Sequence, residues 1–334
     1  MALNSAASRV EPAVVPLDGQ AAGWSDTPRA HVHAPRAGET ASLLVDYREL
    51  FKLRVTLMVT LTGWAGFYLG SMRSGISSMQ PGLLETLIGI TAVSGGSAAL
   101  NQAIERRLDA KMLRTANRPM AAGRIGLAHG IAIGLFAIIA GTLWLTRETN
   151  LITGGLTLLT AFLYVAVYTP LKRVTPLATF IGAFPGAMPP LLGWTAARGV
   201  IEWQGVALFA ILFIWQFPHF MSIAWLYRED YGKAGIRMLP VVQPDGWSTA
   251  LESLIYAVLM IPASLLPVWL HMDGTIYLIA ALALGGAYLG YTIRFMRIVR
   301  ARSEKESRMY ARDLLKVSVI YLPLLLTALM LNAR

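Results

Sequence analysis

Nine apolar runs dominate this 334-residue sequence, and each is close to the length of about 20 residues that crosses a bilayer as a helix. Backbone polar groups in lipid must bond within their own segment, so such runs are expected to form transmembrane α-helices. Charged residues make up only 14% of the chain, against about a quarter in soluble domains. The sequence therefore predicts an all-α integral membrane protein. The runs lie at about residues 55–72, 83–104, 125–146, 151–168, 177–197, 205–226, 251–270, 276–293 and 315–332.

Residues 1–45 have a different composition from the rest of the chain. They are rich in Ala, Pro, Gly and Ser and contain no apolar run. This composition predicts a disordered cytoplasmic tail, followed by a membrane domain at 46–334. The tail lacks the apolar core of a secretory signal, and its acidic residues argue against a mitochondrial transit peptide. A bacterial inner membrane is therefore favoured over a mitochondrial inner membrane.

The distribution of cations predicts the orientation of the helices. Among the loops between the apolar runs, those after the second, fourth, sixth and eighth runs hold nearly all the Lys and Arg residues. Cytoplasmic loops carry such an excess, so these loops and the N-terminus are expected in the cytoplasm. The net charge of +10 arises in this way and predicts no nucleic-acid partner. The chain has no Cys, which excludes disulfides and cysteine nucleophiles.

The densest group of charges follows the second run. Asn101, Glu105 and Asp109 are spaced by four residues, so on a helix they share one face. Their oxygen atoms suit Mg²⁺, which substrate phosphates often complete. Arg114 and Arg118 follow closely and suit phosphate oxygens. This stretch alone is equally compatible with a solvated loop that holds ordinary ion pairs.

Two further polar segments are expected on the same side of the membrane. Asp230 and the adjacent Glu229 form a second acidic centre after the sixth run, which could hold Mg²⁺ on the other side of a diphosphate. Lys172 and Arg173 follow a Thr-Pro turn and could reach phosphate. Each segment alone is also compatible with a charged loop in water. Together they predict nine helices around a central cavity that opens at the cytoplasmic side.

His219 is an ionisable residue within the sixth apolar run. Such a residue inside a membrane is a functional candidate, although a hydrogen-bonded core histidine is the ordinary alternative. Trp215 and Gln216 lie one turn earlier. The three residues suggest a pocket for a large flat ligand, and iron ligation is only one version of that role.

The four segments together resemble the UbiA superfamily of intramembrane prenyltransferases and, within it, the protohaem IX farnesyltransferase (haem O synthase) family. The resemblance covers about residues 45–334. It departs at Glu105, where many members have Asp, and at Arg237, where Pro would be expected. The motifs that carry it are Asn101-x-x-x-Glu105-x-x-x-Asp109, Arg114-Thr-x-x-Arg118-Pro119, Tyr168-Thr-x-x-Leu-Lys172-Arg173, Trp215-Gln216-x-Pro218-His219-Phe220, Asp230-Tyr231-x-x-Ala-Gly235 and Met238-Leu-Pro240-Val-Val.

The resemblance implies transfer of the farnesyl group of farnesyl diphosphate to a vinyl group of haem b, with addition of water, to give haem O. Mg²⁺ is the implied cofactor, and membrane lipid, a haem A synthase and a terminal oxidase are the implied partners. Prenylation of an aromatic quinone precursor and membrane transport are the alternative functions, and the oligomeric state stays open. The implied catalytic and metal-binding residues are Asn101, Glu105, Asp109 and Asp230, the diphosphate contacts are Arg114, Arg118, Lys172, Arg173 and Lys233, and the haem contacts are Trp215, Gln216, His219 and Tyr227.

Overall fold

The computed structural model describes residues 43–73 and 82–333, and within these ranges the chain forms helices and turns without a β-strand. Most of the predicted tail therefore lies outside the described residues, and the first helix begins three residues before the expected domain boundary at 46. The helices are α1 Leu43–Leu50, α2 Leu53–Arg73, α3 Leu83–Asp109, α4 Leu127–Glu148, α5 Leu151–Phe162, α6 Thr169–Leu171, α7 Ala178–Arg198, α8 Trp203–Leu226, α9 Arg228–Ala234, α10 Leu239–Val242, α11 Trp247–Trp269, α12 Thr275–Phe295 and α13 Glu304–Leu331. A π-helical segment, Leu163–Tyr168, joins α5 to α6, and a 3₁₀ turn, Met296–Arg300, follows α12.

Eight helical segments of the described chain are long and apolar enough to cross a membrane. They correspond to eight of the nine predicted runs, with 151–171 counted as one segment. The remaining run corresponds to α7, which is 21 residues long but is not among the eight. Its glycines and prolines lower its mean hydropathy, while its length still matches that of its neighbours. The expected nine-helix arrangement is therefore confirmed in outline.

The helix α7 occupies the interior of the bundle, where α2, α5 and α8 pack on it. Pro185, Pro189 and Pro190 predict a kinked or broken helix, but the helix is assigned without interruption from Ala178 to Arg198. Membrane helices tolerate proline where neighbours satisfy the freed backbone groups. Separately from those groups, the Gln216 side chain of α8 donates a hydrogen bond of 2.9 Å to the Ala183 carbonyl and so links α8 to this helix. The prolines therefore fit a helix that its neighbours enclose.

Two helices at the polar end of the bundle differ from the helices that the sequence predicted. The helix α3 continues to Asp109, five residues beyond the predicted run, so its carboxylates lie on the helix itself. The fourth membrane segment changes to π-helical geometry at Leu163–Tyr168. Single π-helical turns are rare and often mark functional sites because they change the direction of the side chains that follow.

The contact between α2 and α7 depends on glycine. A Cβ atom placed on Gly66 would lie 1.9 Å from the Pro190 carbonyl oxygen, and one placed on Gly193 would lie 1.9 Å from the Gly63 carbonyl oxygen. Only glycine allows the two backbones to approach this closely, as small residues do at other helix interfaces in membranes.

Replacing Gly66 with Ala is expected to destabilise the protein by at least about 1–3 kcal/mol, because the added methyl group meets backbone that cannot move aside. The measurement is thermal unfolding in detergent. Gly286→Ala is the matched control, since a Cβ there meets nothing within 4 Å. Equal midpoints for Gly66→Ala and the control would contradict the predicted packing.

Candidate active site

A cavity of about 420 Å³ lies among α2, α3, the segment from α5 to α6, and α7. We define its polar end by Lys52, Asn101, Glu105, Asp109, Arg118 and Lys172. We define its apolar end by Val59, Ile90, Thr157 and Leu192. All ten residues line the same space. The cavity therefore joins a charged region to an apolar region within the membrane bundle.

The residues spaced by four on α3 share one face, as the sequence predicted. Asn101, Glu105 and Asp109 all line the cavity, and their exposed fractions are 0%, 6% and 1%. The Asn101 amide nitrogen donates hydrogen bonds to Glu105 Oε2 at 2.9 Å and to Thr169 Oγ1 at 3.1 Å. Buried carboxylates are costly unless they are paired or bind a metal ion, so a solvated loop is excluded for these side chains.

Two predicted cations neutralise these carboxylates. Lys172 Nζ lies 2.6 Å from Glu105 Oε1, and Arg118 Nη1 lies 2.8 Å from both oxygens of Asp109. Burial opposes the charge of Lys172, but Tyr168 and Glu105 together raise its pKa above the usual value. Lys172 is therefore a fixed cation in contact with the acidic face.

Lys52 is a site residue that sequence analysis missed. It lies between α1 and α2 with φ of 45°, an unusual backbone angle for a non-glycine residue. Its ammonium group donates a hydrogen bond of 2.6 Å to Asn101 Oδ1. Burial and the nearby Arg118 and Lys172 lower the pKa of Lys52 to about 7. The available signal was a lysine at the start of the first membrane run, on the side where the acidic motif was expected.

Tyrosines from the π-helical segment form part of the cavity wall. Tyr164 and Tyr168 both line it, and Lys172 Nζ lies 4.6 Å from the centre of the Tyr168 ring. Gly182 on α7 makes room for this ring, because a Cβ there would lie 2.5 Å from it. The irregular segment thus places aromatic faces beside the cations.

The loop after α9 packs against the loop after α3, as convergence of the two acidic motifs requires. Met112, Ala234 and Ile236 form one buried apolar cluster. Arg114 Nη2 donates to the Tyr231 hydroxyl at 3.4 Å, and both residues line the cavity. The Arg237 backbone N–H donates to the Lys172 carbonyl at 2.8 Å. Side chains from the motifs that contain Asp109, Arg114, Lys172 and Tyr231 therefore meet around the polar end.

Three of the residues predicted to bind metal or diphosphate do not line this cavity. Arg173 and Lys233 are exposed, and Asp230 lies on α9 away from the lining. Successive residues of a helix point about 100° apart. Lys172 and Tyr231 face the cavity, so their neighbours Arg173 and Asp230 point elsewhere, as does Lys233 two residues after Tyr231. The diphosphate roles of Arg173 and Lys233 and the role of Asp230 therefore stay predictions.

The proposed haem contacts also lie outside the cavity. Trp215 Nε1 donates to the Ser318 carbonyl at 2.9 Å, and His219 Nδ1 lies 2.8 Å from Ser318 Oγ. This pair therefore faces α13. Gln216 lies on the adjacent face of α8, which contributes Phe220 to the cavity lining. The ring of Tyr227 lies 4.9 Å from the Arg114 guanidinium carbon, just behind the cavity wall. A haem role for these residues stays a prediction.

The donor set at the polar end is compatible with Mg²⁺. Asn101, Glu105 and Asp109 supply amide and carboxylate oxygens, and Mg²⁺ is commonly bound by one or two carboxylates together with substrate phosphates. In the part of the chain that the structure describes, no group of three or more His, Cys, Asp or Glu side chains is arranged to hold a metal ion. Phosphate oxygens would therefore have to complete the coordination.

The fold and the cavity define a multi-pass membrane protein that can hold an amphipathic molecule with an anionic head and an apolar tail. Residues 56–316 match the model of the UbiA prenyltransferase family. The chain belongs to this family, and the site therefore lies in the core of a membrane prenyltransferase.

Curated relatives extend over nearly the whole described chain. The protein is 52% identical to a protoheme IX farnesyltransferase of Koribacter versatilis, over 89% of this chain and 96% of the relative. It is 42% identical to a protoheme IX farnesyltransferase of Solibacter usitatus, over 86% of this chain and 98% of the relative.

Solved structures share the fold at low sequence identity. A structure of a digeranylgeranylglyceryl phosphate synthase superposes with a TM-score of 0.70 at 18% identity, over 86% of this chain and 98% of that chain. A UbiA homologue from Archaeoglobus fulgidus bound to GPP and Mg²⁺ gives a TM-score of 0.57 at 16% identity, over 85% of this chain and 99% of that chain.

Proposed function

We propose that this protein transfers the farnesyl group of farnesyl diphosphate to a vinyl group of haem b, with addition of water, to give haem O and diphosphate. The observation that carries the proposal is the buried acidic face of Asn101, Glu105 and Asp109 at one end of an apolar cavity. The two named relatives, at 52% and 42% identity, specify the reaction among those of the family.

The chemistry is a substitution at an allylic carbon. The bond between C1 of the farnesyl group and the diphosphate oxygen breaks, and its electron pair leaves with diphosphate. The vinyl group of haem b forms a new carbon–carbon bond to C1. Water adds to the resulting cation and loses a proton, which leaves a hydroxyl group. No oxidant or reductant is required.

The residues of the chain would bind the diphosphate and separate it from the reacting carbon. Lys172 and Arg118 supply positive charge beside the acidic face, Lys52 adds an amine donor there, and Arg114 adds a further cation to the lining. Groups held in place before the reaction stabilise developing charge with little reorganisation. The apolar walls would hold the prenyl chain and exclude water from the allylic cation until the vinyl group attacks.

Asn101, Glu105 and Asp109 are the residues proposed to hold Mg²⁺, and Asp230 keeps its predicted role as a second acidic group. When bound, Mg²⁺ would act as a Lewis acid towards the diphosphate oxygens. Among relatives of the fold, the A. fulgidus homologue is a complex with GPP and Mg²⁺. Lys172 and Arg118 contact the same carboxylates, so metal binding would free both cations for phosphate oxygens.

We further propose a bacterial inner membrane with the polar end of the cavity towards the cytoplasm. The loops at that end hold most of the Lys and Arg residues of the membrane domain, which supports this orientation. A haem A synthase or a terminal oxidase would be a suitable partner for delivery of the product, whose long prenyl tail keeps it in the membrane.

The test is product mass after incubation of the detergent-purified protein with haem b, farnesyl diphosphate and Mg²⁺. A product with the mass of haem O is expected, and a metal chelator is expected to remove it, because departure of diphosphate is slow without a metal ion to stabilise the charge on its oxygens. Restored product after excess Mg²⁺ shows that the chelator acted through the metal.

The controls separate the proposed reaction from its alternatives. An active farnesyltransferase of the same kind must form haem O under the same conditions. If this protein then forms no haem O, the proposed substrate is wrong, and incubation with aromatic quinone precursors tests the first alternative. Full product yield in the presence of chelator would contradict the metal requirement but not the proposed reaction.

A further inference from the structure

The apolar end of the cavity is closed by direct contact between helix backbones. A Cβ on Gly193 of α7 would lie 1.9 Å from the Gly63 carbonyl oxygen of α2, so no carbon chain can pass between the two helices there. A Cβ on Gly63 would lie 2.9 Å from Ile90 Cδ1, which places the Ile90 side chain over this contact. Leu192, which precedes Gly193, also lines the cavity. Ile90 and Leu192 therefore form its floor.

These two floor residues are fixed in position. Ile90 and Leu192 are each 2% exposed and belong to one apolar cluster with Leu145 and Met188. The α4 residue Leu145 packs against α3 at Gly89, where a Cβ would lie 2.3 Å from it. Close packing on three sides prevents the floor from yielding to a longer ligand.

The helix α3 sets the depth of the cavity. Its lining residues follow one face from Asn101 at the polar end to Ile90 at the floor. These two positions are eleven residues apart on a continuous helix. At 1.5 Å per residue the depth is about 16 Å.

This depth matches one length of prenyl chain. An extended chain advances about 1.2 Å per bond, on the basis of backbone dimensions. The twelve-carbon main chain of a farnesyl group then covers about 13 Å, and the sixteen-carbon main chain of a geranylgeranyl group covers about 18 Å. The first fits above Ile90 and the second does not.

We infer that Ile90, together with Leu192, limits the prenyl chain to the length of a farnesyl group. The inference rests on the proposed function, because it assigns the cavity to the prenyl chain of the diphosphate substrate. Removing side-chain atoms at the floor deepens the cavity, and adding them higher on the same α3 face shortens it. Ser94 lines the cavity one turn above Ile90 and provides the second change.

The experiment is a competition between prenyl diphosphates. The full chain in detergent, with haem b and Mg²⁺, receives equal amounts of geranyl, farnesyl and geranylgeranyl diphosphate, and mass spectrometry gives the ratio of the prenylated haems. Ile90→Ala is expected to raise the ratio of geranylgeranyl to farnesyl product at least tenfold. Ser94→Leu is expected to raise the ratio of geranyl to farnesyl product by a similar factor.

Ile211→Ala is the matched control, since Ile211 is fully buried on α8 and does not line the cavity. It removes the same atoms and is expected to leave the product ratio unchanged. If Ile90→Ala aggregates, Ile90→Val and Leu192→Ala test the same floor with separate changes, and each is expected to shift the ratio towards the longer chain.

The outcomes distinguish the inference from the function on which it rests. Wild-type protein that forms no prenylated haem would overturn the proposed function. Wild-type protein that forms haem O, with floor variants that keep the wild-type product ratio, would overturn the inference and leave the function intact. A shift in Ile211→Ala equal to that of Ile90→Ala would also overturn it, because the effect would then come from general loosening of the core.

Discussion

Asp109→Asn is expected to lower haem O formation by roughly 10²–10³-fold while the protein stays folded. Asp109 is 1% exposed and contacts Arg118 through both carboxylate oxygens. Asn keeps the shape and one acceptor oxygen but removes the negative charge that the proposed metal site requires. Initial rates at saturating Mg²⁺ measure the loss, and thermal unfolding in detergent measures the fold. Asp109→Glu keeps the charge and is expected to recover part of the rate.

Asp313→Asn is the matched control for this charge change. Asp313 pairs with Arg294 at 3.2 Å between α13 and the end of α12, and its side chain is 25% exposed outside the cavity lining. Such partly exposed pairs contribute little to stability, so this variant is expected to keep the wild-type rate. Equal rates for Asp109→Asn and the wild type would rule out the proposed role of Asp109. If both variants lose the same fraction of the rate, the loss comes from removing any negative charge and not from the position of Asp109.

Local periodicity was sufficient to predict the acidic face. The spacing of Asn101, Glu105 and Asp109 requires only a helix to bring the three side chains together, and α3 extends far enough to include them. The same holds for the membrane helices, because lipid leaves a 20-residue apolar run few alternatives. These features depend on residues close in sequence, which a pattern can capture.

The partners of the acidic face depend on contacts between distant segments. Lys52 reaches Asn101 across 49 residues, and Lys172 reaches Glu105 across 67. Nothing local distinguishes Lys52 from an ordinary cation at the membrane surface. A resemblance to family motifs selected Lys172, which lines the cavity, and also Arg173, which does not line it. Sequence therefore predicts the kind of charge at this site better than the particular side chain.

The sequence pattern also could not predict which α8 side chains face the cavity. Trp215 and His219 are spaced like a site, yet they stack on each other with 4.8 Å between ring centres and bond to Ser318 of α13. Phe220, one residue later, faces the cavity instead. A helix that is apolar on all sides gives no pattern from which to tell its ligand-facing side from its packing side.

Lys172→Met is expected to abolish measurable turnover and to destabilise the protein by about 3 kcal/mol. The variant leaves Glu105, which is 6% exposed, without the ammonium group that now lies 2.6 Å from it. Breaking a buried pair by removing one partner costs about 3–5 kcal/mol, and the residual exposure of Lys172 places the expected value at the lower end. Arg173→Met removes the same charge from the next residue, which is exposed outside the lining, so it is expected to leave stability unchanged and to lower turnover far less than Lys172→Met.

The double variant Lys172→Met/Glu105→Gln separates the structural role of the pair from its chemical role. Replacing both charges removes the unpaired carboxylate, so most of the lost stability should return. The rate should stay low, because both a proposed metal ligand and a proposed diphosphate contact are missing. If stability returns and the rate does not, Lys172 and Glu105 have a role in the reaction beyond their role in the fold. Recovery of the rate together with stability would show that Lys172 and Glu105 only support the fold, and the proposed diphosphate site would have to be placed elsewhere.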